Sequence, residues 1–115
     1  MKSYTELDVW IEGRKLVSLI YSMTKTFPNE ELYGMTNQIR RCSVSIPSNI
    51  AEGCGRQTPK ETIHYLYISR GSLYELETQL YLAADLSYIG VDDLENVLSQ
   101  IETTKKTVKW FHKLL

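Results

Sequence analysis

Basic side chains occur in two parts of the chain at spacings that suit contact with phosphate groups. Arg40 and Arg41 are adjacent, and Arg56 follows them after Gly53 and Gly55. The planar guanidinium of arginine matches the geometry of a phosphate. Four lysines are concentrated towards the C-terminus, at Lys105, Lys106, Lys109 and Lys113. We interpret these seven cations as candidate nucleic-acid contacts; salt bridges and solvated helix ends are the alternative.

Tyrosines recur every seven residues in the second half of the chain, at Tyr67, Tyr74, Tyr81 and Tyr88. Seven residues are nearly two turns of a helix, so the rings would share one helix edge. Such an edge can stack on bases or anchor a protein interface. Tyrosines beside a leucine seam also pack within a bundle. We interpret Tyr67, Tyr74 and Tyr81 as candidate contacts with another subunit or a partner.

Several polar residues fall on or near the predicted buried helix faces. An unsatisfied polar group in a core costs about 1–3 kcal/mol, so these residues need partners. We predict a structural polar network between helices that comprises Gln38, Asn49, Glu52, Arg70 and Glu75. A catalytic carboxylate pair is the alternative for the two glutamates, but no nucleophile or metal-ligand motif accompanies them.

The motifs of familiar enzymes and metal sites are absent from the sequence. His64 and His112 belong neither to HExxH nor to a Cys/His zinc spacing. The chain has no GxSxG elbow and no glycine-rich phosphate-binding loop. Cys42 and Cys54 would lie about 18 Å apart on one helix, too far for a disulfide. We therefore expect no enzymatic activity, no metal and no cofactor.

Length and charge limit the classes of function. With 115 residues, the simplest organisation is one domain over residues 1–115. The net charge of −1 argues against a nucleic-acid-binding surface that covers the whole chain, so any such surface must be a local patch. No apolar stretch approaches the length of a membrane span, and no secretory leader is recognisable. These features predict a cytoplasmic protein with reduced cysteines.

Four segments show helical periodicity, at residues 8–26, from 30 or 31 to 52, 59–86, and from 92 to the C-terminus. Thr58, Pro59 and Glu61 have the pattern of a helix start. Pro47 interrupts the second segment and predicts a kink there, because proline lacks the amide donor. Short connections between long helices predict an all-α fold, an antiparallel up-down-up-down four-helix bundle.

Each segment also predicts a buried seam. In the first helix the seam comprises Trp10, Gly13, Val17, Ile20, Thr24 and Phe27. In the third it comprises Leu66, Ser69, Leu73, Leu76, Leu80 and Ala83. In the fourth it comprises Val91, Leu94, Val97 or Leu98, Ile101, Thr104, Val108, and Phe111 or Leu115.

Five colinear motifs carry a resemblance to a known family. They are residues 7–10 (LDVW), 27–31 (FPNEE), 33–41 (YGMTNQIRR), 44–53 (VSIPSNIAEG) and 71–80 (GSLYELETQL). On these motifs the chain resembles the 23S rRNA intervening-sequence protein family of four-helix bundles. The resemblance implies a homo-oligomer, a ring-like pentamer in particular. It also implies kinship with accessory proteins of diversity-generating retroelements, which bind nucleic acid and a reverse transcriptase.

We therefore expect a non-enzymatic, oligomeric helical scaffold. Its expected partners are RNA or DNA, or a reverse-transcriptase-like protein, and local basic patches would supply the contacts. The alternative is a protein–protein adaptor that makes no contact with nucleic acid and uses the tyrosine edge as its anchor.

Overall fold

A computed structural model describes residues 3–115. The four α-helices are α1 (Asp8–Thr24), α2 (Met35–Cys54), α3 (Pro59–Asp85) and α4 (Val91–Lys113). Short 3-10 segments occupy Tyr4–Glu6 and Asn29–Glu31. No strand occurs in this part of the chain, so the predicted all-α class is confirmed.

The four helices share one apolar core. Each helix packs against the next along the chain, and α1 also packs against α4. These contacts are consistent with a helical bundle, and the molecule measures 43 × 25 × 19 Å. The fully buried apolar side chains come from every helix: Leu16, Ile20, Ile39, Ile46, Ile50, Leu73, Leu76, Leu80, Ala83, Val97 and Ile101.

The buried seam of α1 agrees with the predicted one in part. Leu16 is fully buried and Val9 nearly so, whereas Trp10 and Val17 are only partly covered. The predicted and observed seams share Gly13, Ile20, Thr24 and Phe27. The helix has apolar residues on two adjacent stripes, and only packing against α2 and α4 decides which stripe faces inward.

The predicted start of α2 at Glu30 or Glu31 is wrong, because these residues form the second 3-10 segment and α2 begins at Met35. Gly34 interrupts the helical backbone with φ −112° and ψ −114°. The Glu31 carboxylate then accepts a hydrogen bond from the Met35 amide at 3.3 Å. Its other oxygen accepts one from the Tyr88 hydroxyl at 2.8 Å. Glu31 therefore ties the first turn of α2 to the connection after α3.

The contact between α2 and α3 depends on small residues. Ser69 donates to the carbonyl of Ile46 at 3.0 Å, and Thr62 donates to the carbonyl of Gly53 at 2.8 Å. A Cβ on Gly53 would lie 2.7 Å from Cβ of Tyr65. The second helical segment was predicted to end at residue 52, but α2 continues through Gly53 to Cys54. The role of Gly53 is to let the two backbones approach closely.

The predicted start of α3 is confirmed. The Thr58 side chain accepts a hydrogen bond from the Glu61 amide at 3.2 Å, and Pro59 occupies the first helical turn. Glu61 accepts in return from the Gln57 amide at 3.2 Å. All six residues of the predicted α3 seam are buried.

The end of α3 adopts a Schellman motif. The amide of Ser87 donates to Ala84, and that of Tyr88 donates to Ala83, both at 2.9 Å. Ser87 has φ +62°, a left-handed conformation that usually selects glycine. The turn therefore stores backbone strain at a residue with a side chain.

Helix α4 follows its predicted seam except at the ends. Val97, Ile101, Thr104 and Val108 are buried, but Val91 is exposed. Leu115 is also exposed and lies outside the helix. None of the helices in residues 3–115 is long and apolar enough to cross a membrane.

Candidate functional site

A groove between α3 and α4 brings together basic and aromatic side chains from both helices. We call it the α3–α4 groove. Its lining comprises Leu66, Tyr67, Arg70 and Tyr74 from α3, and Lys105, Val108, Lys109, His112 and Lys113 from α4. On each helix the lining residues are mainly three or four apart, which places them along one edge. The groove therefore forms where one edge of α3 faces one edge of α4.

The groove has an apolar floor, aromatic walls and a basic rim. Leu66 and Val108 are almost fully buried at the floor. Tyr67 keeps 54% of its surface exposed and Tyr74 keeps 49%. No aspartate or glutamate is among the lining residues. The groove is thus positive in a chain whose net charge is −1.

Among residues 3–115, Lys105 is the one lining lysine whose charge is already paired. Its ammonium lies 3.0 Å from Glu77 and 3.2 Å from Glu102. Burial lowers the pKa of Lys105, but hydrogen bonds and charges from the two glutamates outweigh burial and raise it overall. The same ammonium lies 4.1 Å from the Tyr74 ring centre. Lys105 therefore holds Tyr74 in place more than it offers charge to a ligand.

The other aromatic contacts of the groove cover part of each ring and leave about half of each tyrosine exposed. Tyr67 meets His112 edge to face, with ring centres 5.4 Å apart. Such a contact covers at most one face of the tyrosine. The Arg70 guanidinium lies 5.9 Å from the centre of the Tyr74 ring. Both tyrosines consequently present ring surface to the groove.

Three cations of the rim have no ion-pair partner among residues 3–115. Arg70, Lys109 and Lys113 are exposed, and none of them forms a salt bridge there. Their charges are therefore available to an anionic ligand.

The remaining predicted nucleic-acid contacts lie away from the groove. Arg40 is partly buried, donates to Thr24 at 2.9 Å and covers the ring of Tyr21. Arg41 is exposed on α2. Lys106 lines a separate apolar cleft between the N-terminal segment and α4.

Arg56 lies beyond the C-terminal end of α2, outside the groove. It forms an ion pair with Glu52 at 3.2 Å and also contacts the hydroxyl and ring of Tyr65. Both Arg40 and Arg56 are thus held by neighbouring side chains. The structure brings together only Lys105, Lys109 and Lys113 of the seven predicted contacts.

The tyrosine edge of α3 divides into two parts. Tyr67 and Tyr74 line the groove, whereas Tyr81 lies beyond it and is half exposed. Tyr88 follows the end of α3, and its hydrogen bond to Glu31 raises its pKa.

The residues of the predicted polar network are not joined to one another by any hydrogen bond in the described chain. Asn49 donates to the carbonyl of Ser45 on its own helix. Glu52 pairs with Arg56, and Glu75 with Gln79. Gln38 and Arg70 are exposed, and Arg70 lines the groove. Small hydroxyl residues make the α2–α3 links, including a 2.9 Å bond between Ser45 and Ser72.

Both cysteines are free thiols. Burial raises the pKa of Cys42 to about 12, and the nearby Glu75 carboxylate adds to the rise. Its sulfur donates to the carbonyl of Ser72 at 3.2 Å. Burial also raises the pKa of Cys54. Neither thiol has the lowered pKa of a reactive cysteine.

No group of three or more His, Cys, Asp or Glu side chains within residues 3–115 is placed to hold a metal ion.

Four residues that line the groove had not been predicted as functional contacts. Leu66 and Val108 were predicted as buried seam residues, Arg70 was assigned to the polar network, and His112 had no predicted role. On each helix these residues lie three or four positions from a predicted contact or from one another, so the sequence places them on the same helix edge. The sequence does not show that these edges of α3 and α4 face each other.

Comparison with known proteins identifies one relationship. A family model described as 23S rRNA-intervening sequence protein matches residues 5–109. No curated protein matches the sequence.

Proposed function

The chain belongs to the 23S rRNA-intervening sequence protein family, and from that premise we propose that it is a non-enzymatic scaffold that binds nucleic acid through the α3–α4 groove. The observation that supports the proposal is the convergence of Arg70, Lys109 and Lys113 on a groove with no lining carboxylate. Each of these cations is available to a phosphate, since none is engaged in a salt bridge among the described residues.

The affinity of such a groove for nucleic acid should depend strongly on salt concentration. Each cation that neutralises a phosphate releases counterions, so affinity falls as salt rises. We expect structured RNA or DNA to bind at about 50 mM salt and to weaken steeply by about 200 mM. Fluorescence anisotropy with labelled oligonucleotides measures both affinities. Absence of binding at the lower salt concentration would refute the proposal.

Paired substitutions localise the contact. Lys109→Ala with Lys113→Ala removes two rim charges, and we expect at least about a tenfold loss of affinity, or about 1.4 kcal/mol. The slope of log affinity against log salt should flatten by about 0.7–0.9 for each lost phosphate contact. Lys25→Ala with Lys60→Ala is the matched control, because both residues are exposed, neither lines the groove and neither is a candidate contact. An equal loss in the control would place the contact elsewhere.

The proposal includes an antiparallel up-down-up-down arrangement within one domain over residues 1–115. Support comes from the order of contacts along the helices. Thr62 meets Gly53 whereas Ser69, further along α3, meets Ile46, earlier in α2. A kink in α2 at Pro47 is also part of the proposal, since proline removes one helical hydrogen bond.

We further propose that the protein forms a homo-oligomer, with the pentamer implied by the sequence resemblance as the expected form. An exposed apolar surface at the end of α4 supports assembly. Trp110 keeps 65% of its surface exposed and Leu114 keeps 67%, beside a cleft lined by Leu7, Val9 and Phe111. Light scattering at micromolar concentration tests the proposal, and a monomer would overturn it. Repetition of the groove around a ring would raise avidity for a polymer.

A protein–protein adaptor is the second candidate function. It is supported by exposed apolar residues at the C-terminal end of α3 and just after it, outside the groove, where Tyr81, Leu82 and Leu86 are each about half exposed. Such a partner, a reverse-transcriptase-like protein among them, would stay bound after nuclease treatment and be lost on Tyr81→Ala. Cytoplasmic location is expected for either function, and the two free thiols are compatible with a reducing compartment.

A further inference from the structure

We infer that the α3–α4 groove selects unpaired nucleotides, with bases stacked on Tyr67 and Tyr74 and the phosphates on the basic rim. This inference rests on the proposed function and specifies the class of nucleic acid that the same site takes.

The first argument is the composition of the groove below its rim. A site for phosphates alone needs only cations, yet this groove also has two half-exposed tyrosines on its walls. Aromatic rings beside a basic track are the features that bind single strands, because every base offers a face for stacking. Unpaired bases would therefore supply the stacking partner for these two rings, next to cations that bind their phosphates.

The second argument is that duplexes cannot use this surface. In a duplex the faces of the bases are covered by their neighbours, and mainly phosphates and base edges are accessible. A duplex on the rim would leave the rings of Tyr67 and Tyr74 without a stacking partner. The preference for single strands over duplexes thus arises from the tyrosines, because the rim lysines contact the phosphates of both equally.

The third argument is that one of the two rings is fixed before any ligand arrives. Lys105 lies against Tyr74 and is itself anchored by Glu77 and Glu102. A ring already held in place loses little conformational freedom on stacking, which favours binding. Lys105 acts here as a positioning residue, since its charge is balanced by the two carboxylates.

The separation of the rings sets a length requirement. Tyr67 and Tyr74 are two turns apart on α3, or about 10 Å along the helix. That distance is about three times the 3.4 Å rise of one strand in a duplex. A stacked strand must therefore have about four nucleotides to reach both rings of one protomer. Shorter oligonucleotides can occupy only one ring unless they are stretched.

The experiment compares oligothymidylates of about two, four and eight nucleotides with a duplex and with inorganic polyphosphate. We expect single strands of four or more nucleotides to bind at least about tenfold more tightly than the duplex. Tyr67→Ala and Tyr74→Ala should each weaken single-strand binding about tenfold and leave polyphosphate binding unchanged. Tyr67→Phe and Tyr74→Phe keep the ring and should retain the affinity. Tyr33→Ala, which changes a highly exposed tyrosine outside the groove, is the control.

The outcomes separate this inference from the proposed function. Equal binding of duplex and single strand, insensitive to Tyr67→Ala but sensitive to loss of Lys109 and Lys113, would overturn the inference and retain the function. Loss of binding in both phenylalanine variants would also overturn it, since stacking needs no hydroxyl. Failure of every nucleic acid to bind at low salt would remove both. Circular dichroism of each variant establishes that it is folded.

Discussion

The ammonium of Lys105 lies 4.1 Å from the Tyr74 ring centre while pairing with Glu77 and Glu102. A cation held between two carboxylates and an aromatic face links α3 to α4 at the groove wall. The charge of Lys105 is therefore balanced within the protein, whereas Lys109 and Lys113 have no ion-pair partner among residues 3–115.

The link between Lys105 and Glu77 can be measured as a coupling energy. In a double-mutant cycle with Lys105→Met and Glu77→Gln, we expect a coupling of about 0.5–1 kcal/mol from urea unfolding. The same cycle with Lys15 and Glu12, a pair on α1 whose lysine is more exposed, should give less. A coupling near zero for the Lys105 pair would contradict the assigned role.

The pH dependence of this link follows from the raised pKa of Lys105. The folded state holds the lysine proton more tightly than the unfolded state. The stabilisation is therefore fully present below the ordinary lysine range and is lost as pH rises through the raised pKa. Unfolding measured from neutral pH to about pH 11 should show less of this alkaline loss in Lys105→Met.

The close contact of α2 with α3 predicts opposite effects for two helical glycines. A Cβ on Gly53 would lie 2.7 Å from Cβ of Tyr65, whereas one on Gly71 would meet nothing within 4 Å. We expect Gly53→Ala to lower the free energy of unfolding by about 1–3 kcal/mol. Gly71→Ala should raise it by about 0.5–1 kcal/mol through helix propensity. Thermal unfolding of both variants tests the pair, and a stabilised Gly53→Ala would be inconsistent with the geometry.

The strained end of α3 predicts a stabilising substitution. Ser87 has φ +62°, so Ser87→Gly should raise the free energy of unfolding by about 1 kcal/mol. Ser99→Gly, at an exposed position inside α4, is the control and should lower it by about 0.5 kcal/mol. If both variants lose stability, the left-handed turn is not a source of strain.

The raised pKa of Cys42 predicts a protected thiol and a loss of stability in alkali. The folded pKa is about 12 against an ordinary value of 9.0. The unfolded thiol ionises first, so stability declines as pH rises from about 9 towards 12. Alkylation by iodoacetamide at about pH 8 should be slow in the folded protein and fast in urea. Cys42→Ala should reduce the alkaline decline, and rapid labelling of native Cys42 would contradict its burial.

Much of the fold was predictable because local signals determine it. The capping pattern at Thr58 and the α3 seam both match the structure, since they depend on residues within one or two turns. The start of α2 was missed because apolar spacing continues across Gly34, where the backbone leaves the helical region. The role of Gly53 was missed because it depends on Tyr65 of another helix.

The groove was predictable only as two separate halves. Tyr67 and Tyr74 were recognised on α3, and Lys109 and Lys113 on α4, but sequence spacing does not state which helix edges face each other. Arg70 was assigned to a polar network because arginine near a seam suits either role. Its place beside Tyr74 follows from their spacing of four residues on α3, but its place in the groove depends on how α3 faces α4.

The position of the turn after α3 has a practical consequence for surface immobilisation and labelling. Twelve residues of helix, or about 18 Å, separate Tyr74 from Leu86 at the start of that turn. A dye or biotin attached at Gly90, where a side chain would meet nothing within 4 Å, would leave the groove unobstructed. A label attached at Leu115, two residues after Lys113, would crowd the basic rim. Sensors and affinity supports made from this protein should therefore be attached through the α3–α4 turn.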